Sequence, residues 1–263
     1  MYNRFLLLLM GLAFYSSLFA QGNNNFELVS DRPGFCNSAV TIKNGLTQIE
    51  TGIEFTKVKY IQDGVQFEFS NTGLFGTLVR LGLSDSFELR GGAEYLIQSK
   101  KEGTADETRM GLDAIMVGAK YQLFTSEKTF ADAALIGEIY LPFGHPEFRP
   151  ANAEPKITIA VTHDLYGPLS LGYNLGTQLN SDSQEFIHFF SINLSAQATK
   201  RISFFAESYT EFAQGIEPVF YYDAGITYLT QSNIQADISY GRKFSPGSEY
   251  WFIGAGVSIR LPN

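Results

Sequence analysis

The side chains of this 263-residue chain that could do chemistry are three histidines, one cysteine and a long series of carboxylates. His188 and Ser191 form the one close pair that could serve as base and nucleophile, as a lipid-modifying hydrolase in a membrane wall would need. Their odd spacing points them to opposite faces of a strand, and no orienting third group stands beside them. His145 falls in a polar connection and His163 near the end of an alternating run. Metal capture needs clustered His, Cys or carboxylate ligands. Glu207 and Glu211 share a strand face, as do Asp223 with Thr227 and Asp237 with Ser239, which reads as a wet wall rather than a metal centre. Cys36 is the lone cysteine, so neither an intramolecular disulfide nor a cysteine zinc site can be assembled. These residues predict no catalytic machinery, no metal site and no cofactor.

What the charges can do is set a field. The formal net charge of −8 argues against a nucleic-acid partner, because such proteins usually present a basic face. If the charged faces of the strands line a lumen, Glu50, Glu54, Glu88, Glu94, Glu138, Glu207, Glu211, Asp223 and Asp237 meet fewer bases, chiefly Arg80, Arg90, Lys120 and Arg260. Such a lining favours cations or neutral polar solutes over anions. The alternative is that Arg80, Arg90 and the carboxylates pair across a narrow barrel and close it, since small barrels are filled by side chains and larger ones leave a channel. The residues alone leave both open.

The elements that must carry these charges are strands. In Gln48–Thr56, Ile49, Ile53 and Phe55 alternate with Gln48, Glu50, Glu54 and Thr56. Phe75, Thr77, Val79 and Leu81 alternate with Gly76, Leu78 and Arg80. Beyond the turn at Gly82–Ser86, Phe87, Leu89, Ala93, Tyr95 and Ile97 oppose Glu88, Arg90, Glu94 and Gln98, so uniform a row that a soluble sandwich would seldom carry it. Further runs follow from Ile115, at Ala131–Leu141, Ile157–Leu165, Leu169–Leu179, Phe186–Ala196, Ile202–Phe212, Phe220–Leu229, Ile234–Gly241 and Tyr250–Leu261. That gives about twelve strands, each near the ~9–11 residues of a tilted membrane strand. Tight links such as Leu83–Ser86 and Tyr166–Pro168 alternate with longer polar ones at Tyr60–Thr72, Ser99–Thr108, Pro142–Glu154, Ala213–Pro218 and Arg242–Glu249. Short turns on one side and long loops on the other fit an all-β, antiparallel up-and-down outer-membrane barrel, the short turns periplasmic. An even strand count puts both chain ends in the periplasm. Phe55, Tyr95, Tyr121, Tyr140 and Tyr173 read as outward interfacial girdles.

Residues 1–20 read as a cleaved signal peptide: Arg4, an apolar run from Phe5 to Phe14, then small residues ending at Ala20. Residues 21–44 alternate little and form a periplasmic lead-in or a lumen-plugging segment. Residues 45–263 form the barrel. In the plugging version, Asp31, Arg32 and Pro33 enter the lumen, Arg32 bonds wall carboxylates such as Glu50 or Glu88, and Pro33 stiffens the turn.

Ser30-Asp31-Arg32-Pro33, followed by Asn44-Gly45 and Gln48-Ile49-Glu50-Thr51-Gly52, resembles the opening of one barrel family. Leu81–Arg90, Leu141-Pro142-Phe143-Gly144 and Gly254–Ser258 match it further. This is the phenol-degradation meta-pathway group of outer-membrane proteins, often labelled simply transporters. Cys36 departs from the polar residue expected there, and the terminal Leu261-Pro262-Asn263 lacks the aromatic that barrel-assembly machinery commonly reads. The resemblance spans nearly the whole mature chain and implies a Gram-negative outer-membrane barrel that passes small organic solutes. The expected partners are outer-membrane lipid, an unidentified small organic solute and, during biogenesis, the barrel-assembly machinery. The expected function is passive solute passage. The rivals are a closed structural or surface-binding barrel and, behind it, a lipid-modifying enzyme.

Overall fold

The computed structural model describes residues 28–262 apart from 63–64, 103–104, 126–130, 214, 216 and 245–247. The signal-peptide expectation lies outside the described residues. Alternating sequence becomes thirteen strands: β1 (Leu46–Gln62), β2 (Val65–Ser84), β3 (Phe87–Glu102), β4 (Ala105–Leu112), β5 (Ile115–Phe124), β6 (Asp132–Leu141), β7 (Glu154–Asp164), β8 (Leu169–Asn180), β9 (Glu185–Gln197), β10 (Ile202–Phe212), β11 (Val219–Gln231), β12 (Ile234–Lys243) and β13 (Ser248–Pro262). Neighbours in the chain pair antiparallel, except β4 and β5, which both pair with β3. The last strand closes on the first, from Leu46↔Pro262 to Tyr60↔Ser248. Closure removes the free sheet edges that hydrocarbon would penalise.

Thirteen segments make a twelve-stranded barrel because β4 and β5 are one staggered strand. Both lie against β3, through Tyr95↔Leu112 and Gly92↔Met116, and Asp113–Ala114 interrupts them. The loop after β6 fills the interruption: His145 N donates to Leu112 O at 2.7 Å and Ile115 N to Phe143 O at 3.3 Å. His145 is thereby a packing residue of this junction. Opposite it, β2 carries a bulge at Phe75, whose positive φ of 55° takes it out of the β1–β2 register.

The polarity of the barrel is inverted relative to a soluble core. Leu89 and Leu135 are each 41% exposed, whereas Gln48, Glu88, Arg80 and Lys120 are wholly buried. One small apolar cluster, Ala39, Ala134, Ile136 and Ala160, stands among the described interior residues. A continuous apolar exterior over a charged interior is stable only when lipid replaces water outside.

Two of the expected long loops are strands. The links foreseen at Tyr60–Thr72 and Ser99–Thr108 are the extended tips of the β1–β2 and β3–β4 hairpins. In the first of them the apolar parity reverses. Ile53 and Phe55 face outward, but beyond them the outward positions hold Lys57 and Lys59, paired to Glu68 at 2.8 and 3.8 Å. Tyr60, Phe67 and Phe69 stack on the opposite face instead. Above the lipid the outer face of the β1–β2 hairpin meets water, so its charges move outward and its rings inward.

Candidate functional site

Strand alternation gives β1, β2, β3, β5 and β6 an inward charge at nearly the same level, and these charges meet. Arg80 Nε and Nη2 donate to the two oxygens of Glu88 at 2.8 and 2.9 Å, and Nη1 donates to Glu50 at 3.0 Å. Arg90 Nε donates to Glu138 at 3.1 Å. A fork on a carboxylate is among the stronger arrangements available to a buried charge. The wall therefore supplies three cations (Arg80, Arg90, Lys120) and three carboxylates (Glu50, Glu88, Glu138) to one cluster.

The segment Leu28–Asn44 adds a seventh charge. Asp31 receives Arg90 Nη1 at 2.6 Å and Lys120 Nζ at 3.0 and 3.1 Å, with Arg80 Nη1 3.6 Å away. Burial alone would raise the Asp31 carboxyl, but Arg80, Lys120 and Arg90 hold it far below its ordinary value of 3.8. A depressed native value stabilises the contact above the ordinary value and loses it only as pH falls below that toward the native one. Asp31 should therefore stay seated from pH 8 to pH 4. Labelling of Cys36 with 4,4′-dithiodipyridine, which reacts in acid, should be equally slow at both. A rise in labelling between pH 8 and pH 4, taken relative to the unfolded chain at the same pH, would disprove it.

The same segment follows the inner wall around the ring. Ser30 hydrogen-bonds Glu50 of β1 and Ser258 of β13, at 3.0 and 2.7 Å. Arg32 Nη2 donates to Asp237 of β12 at 3.1 Å, and the Arg32–Pro33 peptide is cis. The amides of Phe35 and Cys36 donate to the two oxygens of Glu207 on β10 at 2.6 and 2.8 Å. Asn37 N reaches Asn174 of β8 at 2.7 Å, and Ala39 N reaches Thr162 of β7 at 3.4 Å. Thr41 donates to Gln122 of β5 and Ile42 N to Glu88 of β3, at 2.9 and 2.7 Å. Gly45 N closes the circuit on Gly82 of β2 at 3.0 Å. Segment amides, which cannot pair with the barrel's own ladder, are satisfied by wall carboxylates and amides, as burial demands. Burial, reinforced by Glu207, pushes the Cys36 thiol up to about 12, which keeps it protonated and slow to react.

Cavities lie on both sides. One of about 260 Å³ opens toward the short-turn end beside Ser170, Ser195 and Ser203. Another of about 460 Å³ opens toward the long-hairpin end beside Glu94, Tyr140 and Lys156. Arg32 and Asn37 line both.

Arg32 bonds a wall carboxylate as expected, but that carboxylate is Asp237 rather than Glu50 or Glu88, and it is Asp31 that enters the Glu50–Glu88 cluster. Gly52 and Gly256, opposite one another on β1 and β13, leave the slot for the Arg32 guanidinium, which a Cβ at either position would meet. Glu54 and Glu94 stand above the cluster, and Glu94 lies over Gly73 and Gly76. Glu211 is near the open end of β10. Arg260 lies apart at the short-turn end, beside Val29 and Gln48. His188 is exposed and Ser191 buried, on opposite faces. His163 Nε2 lies 3.1 Å from the Tyr173 hydroxyl.

Inward aromatics escape a reading in which apolar means outward. Phe35 stacks on Tyr209 at 4.6 Å and Tyr209 on Tyr221 at 4.8 Å. Tyr250 meets Tyr221 edge-on at 5.2 Å and Phe252 follows. Tyr140, expected outward, lines the upper cavity, on the same strand parity as Glu138. That shared parity was the available signal, as was that of Tyr209 with Glu207.

A closed antiparallel barrel, apolar outside and charged within, defines an outer-membrane β-barrel. The chain belongs to the family described as "Putative MetA-pathway of phenol degradation", whose model matches residues 30–261. Its fold is similar to that of an outer-membrane channel from Pseudomonas putida F1, with TM-score 0.64, 8% identity, and coverage of 88% of this chain and 99% of that one. The translocator domain of the autotransporter NalP from Neisseria meningitidis is similar at TM-score 0.55 and 11% identity, covering 84% and 90%. The KdgM porin, solved in complex with disordered oligogalacturonate, follows at TM-score 0.50 and 12% identity, covering 78% and 98%. No curated protein matches the sequence.

Proposed function

We propose that the chain is a passive outer-membrane channel for small organic solutes, without enzymatic activity, whose lumen is closed at rest by the Leu28–Asn44 segment. The single observation that carries this reading is the circuit of hydrogen bonds from Ser30 to Gly45 around the wall, with a cavity on either side. Glu50, Arg80, Glu88, Arg90, Lys120, Glu138, Glu207 and Asp237 are its docking wall. Glu54, Glu94, Glu211 and Asp223 give the upper lumen its negative field, which favours cations and neutral solutes. In this reading the short turns face the periplasm, and the barrel begins and ends on that side, at Leu46 and Pro262.

A covalently continuous barrel does not need the segment for its ladder, because every strand but β4 pairs with at least two others, β4 pairs with β3, and none of these pairings runs through the segment. Deleting residues 21–44 should therefore leave a folded, heat-modifiable barrel and convert a silent or faintly conducting protein into one with discrete, cation-preferring steps in a planar bilayer. Folded deletion protein with unchanged conductance would refute the closure.

A further inference from the structure

Above the segment, on β10 and β11, one carboxylate has nothing to hold it. Asp223 is 5% exposed, and neither of its carboxylate oxygens has a hydrogen-bond partner. The residue directly opposite is another acid, Glu207, whose oxygens are engaged by the Phe35 and Cys36 amides. Among the described cations none reaches Asp223 in an ion pair. Arg32 is held by Asp237, and Lys243 stands one inward pair further up, opposite Tyr221. A buried, unpaired charge is costly, and folded proteins resolve it either by holding the group protonated or with a counter-charge, which an arriving cation supplies.

The surroundings narrow what that counter-charge is. The next inward pair above Glu207 and Asp223 is Tyr209 and Tyr221, ring on ring at 4.8 Å, with Tyr250 edge-on to Tyr221. On the other flank Gly241 leaves room for the Phe252 ring beside the Asp223 Cβ. No group of three His, Cys, Asp or Glu among the described residues is close enough to share a metal ion. The same wall shows what it accepts: the Lys156 ammonium lies 4.9 Å from the Phe189 ring centroid and 5.7 Å from that of Phe35. Ring faces attract ammonium groups, more strongly once desolvated.

We propose that Asp223, with Tyr209, Tyr221, Tyr250 and Phe252 around it, is a binding site for small organic cations, protonated amines carrying an apolar body. This deepens, and rests on, the channel reading: the solute pauses here between the open end of the barrel and the segment below. The carboxylate takes the ammonium, the rings take the apolar part, and Glu207, fixed by the Phe35 and Cys36 amides, links an occupied site to the segment.

The test is calorimetric titration of the full chain, folded in detergent, with benzylammonium chloride against benzyl alcohol as its neutral analogue. Benzylammonium should bind roughly tenfold or more tightly than the alcohol, and Asp223→Asn should erase the difference. Asp223→Asn removes an unpaired charge at constant shape, so a folded barrel is expected, checked by heat modifiability. Tyr221→Leu, which keeps the charge, should weaken benzylammonium severalfold and serves if the first variant does not fold. Equal binding of amine and alcohol, unaltered amine affinity in the variants, or displacement by equimolar potassium would overturn the proposal. Titration needs no conduction, so amine binding by a barrel that stays silent without its segment would fault the channel reading and leave the site standing.

Discussion

Arg80→Met is expected to lower the unfolding free energy of the barrel by about 3–5 kcal/mol, the usual cost of leaving buried carboxylates without their cation. Arg80 is wholly buried, and its guanidinium bonds Glu88 twice, Glu50 once and the Val40 carbonyl at 2.9 Å, with Asp31 close by. Methionine fills much of the volume but neutralises nothing, so Glu50, Glu88 and Asp31 are left with Arg90 and Lys120 alone. The barrel should unfold at lower urea, read by loss of heat-modified migration. Below that transition Cys36 should react faster with 4,4′-dithiodipyridine, because Val40 has lost its anchor and Asp31 one of its three cations. Arg80→Lys keeps the charge but not the fork and should fall between. Arg80→Met with Glu88→Gln removes both members and should recover part of the loss, since removing a whole buried pair costs less than halving one. Wild-type urea resistance in the single variant would show that the cluster does not hold the barrel.

How much of this was legible follows from where lipid stands. Along β3, from Phe87 to Ile97, one face meets hydrocarbon and the other charge, so the period of two is unbroken and the strand reads directly. Past Phe55 lipid ends, apolar residues change sides at Val58 and Tyr60, and the same period looks like a polar loop. The β4–β5 interruption rests on a contact with His145 over thirty residues on, which local pattern cannot carry. The inward charges Glu50, Arg80, Glu88, Arg90 and Lys120 were recognisable because charge cannot face lipid. Tyr209 and Tyr221 carry no such signal of their own, because rings are at home on either face; only the parity they share with Glu207 and Asp223 places them inward. Which wall carboxylate takes Arg32 was not legible for a third reason. Glu50 and Glu88 are near in sequence, whereas Asp237 is 205 residues away and is brought adjacent only by closure of β13 on β1.

That closure seam makes the segment separable from the wall that holds it. Gly256→Val should release the segment while sparing the barrel. Gly256 lies beside Asp237 in the β12–β13 ladder and opposite Gly52 in the β13–β1 ladder. The two missing side chains leave the slot in which Arg32 reaches Asp237. A valine there occupies the place of the guanidinium but suits a strand better than glycine does, so the ladder itself gains rather than loses. Asp237, whose side chain is wholly buried, loses a partner that is a quarter exposed. The deficit, discounted for that exposure, is about 1–3 kcal/mol and falls on the segment. Each 1.4 kcal/mol multiplies the released population tenfold, so Cys36 labelling should accelerate roughly tenfold or more while the urea midpoint stays near wild type. Asp237→Asn, which weakens the same contact without adding bulk, should move labelling in the same direction. If the valine variant labels no faster, Arg32 is not what pins the segment to the seam, and the hold rests on Asp31 and Glu207. If labelling and urea resistance change together, the segment is part of the barrel's folding unit and cannot act as a separable closure.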